Sequence, residues 1–230
     1  MGTAAATGDT KFDRRLDRVL LAAAQAFADE GYDRASIRSV ADHAHLSVAG
    51  LYYYVRSKDE LLYLIQYRVF DSLVERFRRE SAALDDPEDR LHLLVRNHLE
   101  RFVGNLAELV VCSRELGRLN GDFQARIDAK QREYFGLALG LFAELRARHG
   151  SVTDPRTAAL CMFGSINWVH TWYRPRRGLS PAAIAQDFVH LVLRGFLPPG
   201  TRAPHPQPPR GRARERGASA AHVRALARAT

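Results

Sequence analysis

Between Phe12 and Phe196 the apolar residues recur every three or four positions, and the alternating β-branched runs that mark strands are missing. A chain patterned in this way buries one stripe of each helix and has no material for a sheet, so the fold class is all-α. Its 230 residues suffice for one medium domain or two small ones with a sizeable core. Hydrophobic residues make up 46% and charged residues 26%, which excludes a wholly disordered chain. Two cysteines, Cys112 and Cys161, are too few for a disulfide scaffold, lack C-x-x-C pairing, and read as reduced thiols. The first ten residues carry neither a basic start nor an apolar leader, and no run approaches the ~18 apolar residues of a membrane span. These features read as a cytoplasmic protein.

Capping residues, glycines and prolines divide the pattern into elements. A first helix spans about 12–30, with Leu16, Val19, Leu20, Ala23 and Phe27 on one stripe and Gly31 as its stop. Ser36 caps a short helix through about His43, and Ser47 caps another through about Tyr54; this is helix-turn-helix spacing. Ser57 opens a capping box with Glu60 and starts a helix to about Leu84. Further helices are expected from Asp86-Pro87 to Gly104, Leu106 to Leu119, Asp122 to His149, Asp154-Pro155 to Tyr173 and Ser180-Pro181 to Phe196. The domain plan is a flexible arm over 1–11, a helix-turn-helix unit over 12–57, a helical body over 58–197, and a tail over 198–230. Rich in Pro, Gly and Arg with few large apolar residues, the tail cannot offset its ordering entropy by burial and reads as disordered.

The net charge of +8 invites a nucleic-acid reading, but its distribution matters more than its size. Seven arginines against Glu215 alone put most of it in the tail. Residues 1–60 hold eight basic and nine acidic side chains, so DNA binding there has to rest on local placement of Lys11, Arg14, Arg38 and Lys58. Only three of the 34 basic residues are lysine, a bias that reflects a GC-rich genome more economically than chemistry. No G-x-G-x-x-G, P-loop, G-x-S-x-G or H-E-x-x-H pattern is present, which argues against an enzyme and implies no cofactor.

Residues 36–61 read SIRSVADHAHLSVAGLYYYVRSKDEL. A short helix leading with Val48, Ala49 and Gly50 can approach the major groove closely, where base edges carry the full donor and acceptor code. Hydroxyls of Ser36, Ser47 and Tyr52 and the charges of Arg38 and Lys58 suit flanking phosphates. This stretch resembles the TetR family of one-component regulators: a helix, a turn, a serine-capped recognition helix ending in Leu-Tyr-aromatic-aromatic, then Ser-Lys-acid-acid-Leu. The resemblance implies phosphate contacts from Ser36, Ser47, Tyr52 and Lys58 and base contacts from Val48, Ala49, Gly50 and Tyr53. At least one of the three tyrosines should face the core, and Tyr54 is the candidate. The turn has His45 where the family has glycine, so its geometry is expected to differ slightly. His43 and His45 lack a third ligand signal and read as solvated or turn histidines, so no metal site is expected.

In the body, CMFGSINWVHTWYRPRRGLS gathers Asn167, Trp168, Trp172 and Arg174, followed by Arg176 and Arg177. Residues 168 and 172 share a helix face, so an aromatic wall ending in guanidinium groups is expected, suited to an amphipathic anion. The N-W-x-x-x-W-Y-R-P arrangement is also similar to acyl-CoA-responsive members of the family, which control fatty-acid or sterol breakdown. Arg114, Arg118 and Arg126 either contact phosphate or sit on solvated helix faces. Phe102, Leu109, Phe135, Phe142 and Phe163 either line an apolar cavity or form plain core.

One such head reads only a few base pairs, so a homodimer on a pseudo-palindromic operator is implied. Ile184, Phe188, Leu191, Val192 and Gly195 form one face of the last helix, which the resemblance assigns to the dimer interface; packing within one subunit is the alternative. The leading expectation is a repressor released from its operator by an acyl-CoA. An efflux-type repressor sensing a cationic or neutral drug-like ligand is the alternative, and a cation would require acidic residues such as Glu108, Glu115 or Glu144 to face the cavity. A lipid carrier or all-α enzyme without DNA function is the reading from another class.

Overall fold

In a computed structural model of the protein, residues 11–174 and 179–196 are described. The arm up to residue 10, the tail, Arg176 and Arg177 lie outside them, while Lys11, drawn in the arm, is the first residue of a helix. All regular structure among the described residues is helical: α1 (Lys11–Glu30), α2 (Ile37–His43), α3 (Val48–Tyr52), α4 (Lys58–Ser81), α5 (Pro87–Val103), α6 (Leu106–Arg114), α7 (Gly121–His149), α8 (Pro155–Asn167), α9 (Val169–Trp172) and α10 (Pro181–Phe196).

The caps fall where the sequence places them. Ser36, Ser47 and Ser57 accept from the backbone N–H groups of Ser39, Gly50 and Glu60, each at 3.0 Å. Glu60 reaches back to the N–H of Arg56 at 2.5 Å, one residue before the position a capping box uses. Asp86-Pro87 and Asp154-Pro155 start α5 and α8 with Pro in the first turn, and Gly150 ends α7 at φ +69°.

Three boundaries differ from the expected ones. The helix drawn to Tyr173 breaks at Trp168, which ends α8 and begins the single turn α9. The Thr171 hydroxyl donates to the Trp168 carbonyl at 2.8 Å, and His170 Nδ1 lies 2.8 Å from the Asn167 carbonyl. Side chains thus occupy the carbonyls a continuous helix would use. The helix drawn to Leu119 stops at Arg114, and Gly117 turns the chain at φ +77° so that Leu119 is buried. The recognition helix ends at Tyr52 rather than Tyr54. His45 takes the glycine-like conformation, φ +53°.

Two apolar clusters result. The first gathers α1, α2, α3 and the leading half of α4, including Leu20, Phe27, Val40, Leu51, Leu62 and Ile65. The second gathers the rest of α4 with α5, α7, α8 and α10 around Leu73, Leu94, Phe102, Phe142, Met162 and Val189. The head cluster is not closed by its own helices: Ala107 and Val111 of α6, Leu119, and Ile127 of α7 belong to it.

Lys58, expected at DNA phosphate, has another task. Its ammonium donates to the carbonyls of Tyr32, Ala35 and Asp33 at 2.8, 3.1 and 3.3 Å and lies 4.4 Å over the Tyr32 ring. It ties the α1–α2 turn to the start of α4, and Tyr32 donates to Asp59 beside it. Lys58→Met is therefore expected to lower the free energy of unfolding by about 1–3 kcal/mol, read by urea denaturation, because three carbonyls lose a charged donor. For His45, replacement by Gly should leave stability equal or higher, whereas His45→Val should lower it by about 1–3 kcal/mol in the same measurement, since a β-branched residue is strained at positive φ.

Candidate functional site

The α2–turn–α3 unit presents a small, unobstructed face. Leu51 anchors α3 in the head core, while Val48, Ala49, Tyr52 and Tyr53 are exposed, Tyr53 by 73%. Ser36 and Ser47 accept through their oxygens, so each hydroxyl proton remains available to an acceptor outside the protein. Gly50 lies close under its neighbour: a Cβ there would stand 3.2 Å from the capping Ser47 oxygen, which would have to give by a few tenths of an ångström. Tyr54 is the tyrosine that packs on the core. Phe12 of α1 meets Tyr54 at a tilt and Tyr53 edge-on, at 5.3 and 5.9 Å between ring centres, and so steadies the exposed ring. Its role as a prop is invisible in the sequence, where it is only the first apolar residue of α1.

Part of the head's acidic charge is engaged by partners. Asp17 pairs with Arg68, Asp33 with Arg118, Glu30 accepts from Ser39, and Asp59 from Tyr32. Asp17 and Asp33 make these pairs at the surface with their side chains more than half exposed, and Arg38 stands exposed on α2. Arg15 and Arg18 line an open cleft of about 470 Å³ with His43, His45 and Tyr54 beside the turn. Their three-residue spacing on α1 is the signal that identifies them as one face.

The body differs more from expectation. Phe102, Leu109 and Phe142 are sealed in core, and Phe135 and Phe163 pack at its edge, so these side chains do not wall an open cavity. Trp168 and Trp172 are exposed, by 63% and 49%, because the helix break turns them outward. Arg114 and Arg174 are exposed, with Arg174 donating to its own segment at Tyr173 and Thr171. Arg118 is held at the head by Asp33 and by Glu115 at 3.5 Å, far in role from a ligand phosphate. Asn167 is partly buried at the end of α8.

The three acidic residues that a cation-sensing pocket would need are each paired: Glu108 with Arg101, Glu115 with Arg118 and Glu144 with Arg90. Burial raises the Glu108 carboxyl pKa against the opposing pull of Arg101. A cleft of about 580 Å³ between α1, α4, α5 and α6 is lined by Arg68, Arg76, Arg79 and Arg101 together with Asp17 and Glu108. Among the described residues no three His, Cys, Asp or Glu side chains gather as a metal site, and no helix is long and apolar enough to cross a membrane. On α10, Leu191 and Gly195 are exposed, while Ile184, Phe188 and Val192 lean partly on the body core.

Comparison with known proteins covers both halves. Residues 19–63 match the model of bacterial regulatory proteins of the tetR family, and residues 84–196 match a tetracyclin repressor-like C-terminal domain. The HTH-type transcriptional repressor KstR2 of Mycolicibacterium smegmatis is 25% identical over 188 residues, covering 79% of this chain and 90% of that protein. A TetR-family transcriptional regulator from Bordetella parapertussis 12822 superposes with a TM-score of 0.71 and 31% identity, over 77% of this chain and 93% of its own. AibR, solved in complex with isovaleryl coenzyme A and operator DNA, gives a TM-score of 0.67 and 26% identity, over 77% of this chain and 97% of AibR. With its serine-capped α2–turn–α3 unit and helical body matched along their length, the chain belongs to the TetR family, whose members are transcriptional regulators and not enzymes.

Proposed function

We propose that the protein is a cytoplasmic, homodimeric repressor that binds a pseudo-palindromic operator through α3 and leaves it when an acyl-CoA binds the body. The observation that carries the DNA reading is the exposed Val48, Ala49, Tyr52 and Tyr53 face on a helix capped by Ser47, flanked by the exposed Arg38 and the Arg15/Arg18 cleft. Val48, Ala49, Gly50 and Tyr53 then read base edges, while Ser36, Arg38, Ser47 and Tyr52 hold phosphate. The effector class is supported by AibR and its isovaleryl coenzyme A complex, and by the pairing of the carboxylates that a cationic ligand would need.

Coupling follows from the shared core. Ala107, Val111, Leu119 and Ile127 are packed into the head, and Arg118 clasps Asp33, so displacement of α6 or α7 by a ligand moves the head with it. A ligand preferring the displaced state alters head spacing away from the roughly 34–36 Å that successive half-sites demand. The second copy docks through α8, α9 and α10, which carry the exposed apolar side chains Leu160, Trp168, Trp172 and Leu191.

Fluorescence anisotropy on DNA from the region upstream of the protein's own gene tests the reading. Expected are salt-sensitive, sequence-specific binding and a rise in Kd of about 5–150-fold with isovaleryl-CoA or a longer acyl-CoA, with no effect of free CoA. Binding indifferent to acyl-CoAs overturns the effector class, and the absence of salt-sensitive binding overturns the operator. Leu191→Glu should yield monomer by sedimentation and reduce operator affinity at least tenfold, since a charge buried between two copies has no partner.

A further inference from the structure

Beside the α2–α3 turn, side chains able to carry positive charge gather without a counter-charge. Arg15 and Arg18 of α1 share the cleft of about 470 Å³ with His43 at the end of α2 and His45 in the turn, and no carboxylate lines it among the described residues. All four are exposed, and no ion pair among the described residues ties either arginine, whereas Arg68 and Arg118 are held by Asp17 and Asp33. Asp42, next to His43 along α2, is exposed and does not line the cleft. Tyr54, which does, meets Tyr53 edge-on with 5.1 Å between ring centres, so the cleft adjoins the exposed face of α3.

The two histidines carry further information. His43 Nδ1 lies 2.9 Å from the Ser39 carbonyl, an oxygen that can only accept, so Nδ1 holds a proton. In the neutral ring the other nitrogen, Nε2, is then a bare lone pair, which repels an anion. His43 can donate to an oxyanion from Nε2 only after a proton is taken up there. His45 sits at φ +53°, a conformation that glycine adopts without strain. Strained side chains of this kind cluster at functional sites, and what an imidazole adds to the turn is a charge that changes in the neutral pH range. The occupant these groups call for is an oxyanion. Because the cleft is open and its cations are exposed, it suits a phosphate carried on a large polymer better than a small free ion, which has to be held by buried groups.

We propose that Arg15, Arg18, His43 and His45 form a proton-coupled clamp on a backbone phosphate of the operator, so that DNA binding takes up protons. The bound state is the one with protonated imidazoles, so affinity rises as the pH is lowered. Phosphate contacts carry no sequence information, and the clamp therefore tightens binding to every duplex alike. This inference rests on the operator reading above and adds that proton concentration regulates it.

The test is fluorescence anisotropy of the full-length protein at constant salt, between about pH 6 and pH 8, on the fragment upstream of its own gene and on an unrelated duplex of equal length. Affinity for both should rise about tenfold toward the acidic end. His43→Gln/His45→Gly should flatten that dependence to less than about twofold, with the other histidines of the chain in place. Arg15→Gln/Arg18→Gln should weaken both duplexes and reduce the slope of log affinity against log salt by about 1–2. Affinity independent of pH, a pH dependence undiminished in the histidine variant, or an unchanged salt slope in the arginine variant overturns the clamp, while a retained preference for the upstream fragment leaves the operator reading standing. Binding to both duplexes that is pH-linked but without preference keeps the clamp and overturns the operator, and binding to neither overturns both. Should the paired histidine variant not fold, His43→Gln alone decides: a weakened pH dependence supports the clamp, and an unchanged one overturns it.

Discussion

Everything in this molecule depends on the head lacking a complete core of its own. Three short helices and the start of α4 leave a gap that Ala107, Val111, Leu119 and Ile127 fill from the body. Small helical units bury too little apolar area to be firmly stable alone, so borrowing core from the body stabilises the reader and also couples it mechanically. Close-packed interiors shift between discrete arrangements rather than yielding smoothly, and a change at α6 or α7 therefore arrives at α1 and α2 as displacement.

Polar contacts at the same seam follow this logic. Arg118 joins Asp33, Arg68 joins Asp17, and Gln66 of α4 donates to the Glu115 carbonyl at 3.0 Å. Lys58 holds three carbonyls of the α1–α2 turn. Such pairs add little when exposed, but they fix register between elements that a ligand must move together. They also offset two acidic side chains of the head, Asp33 and Asp17, with arginines.

Much of the architecture was legible along the chain. The three serine caps, the Asp-Pro starts and Gly150 act over three or four residues, so the order of the helices followed from local chemistry. The recognition face was legible for the same reason: on so short a helix, Leu51 inward forces Val48, Ala49 and Tyr52 outward. The effector region was not. Trp168 and Trp172 were readable as a helical stripe, but two side chains occupying backbone carbonyls broke the helix and turned them outward. Arg118 and Lys58 looked like phosphate ligands because their charge is visible in sequence, whereas their partners lie 85 and 23–26 residues away.

By itself, then, the sequence determined the all-α class, the position of the helix-turn-helix and the family, because periodicity, capping and a contiguous motif are local properties. Tertiary structure alone decided which charges are engaged, that the head borrows its core, and that Arg15 and Arg18 share a cleft with His43 and His45. Those outcomes depend on which faces of distant helices come together, and pair energies of that kind leave no periodic trace in the chain.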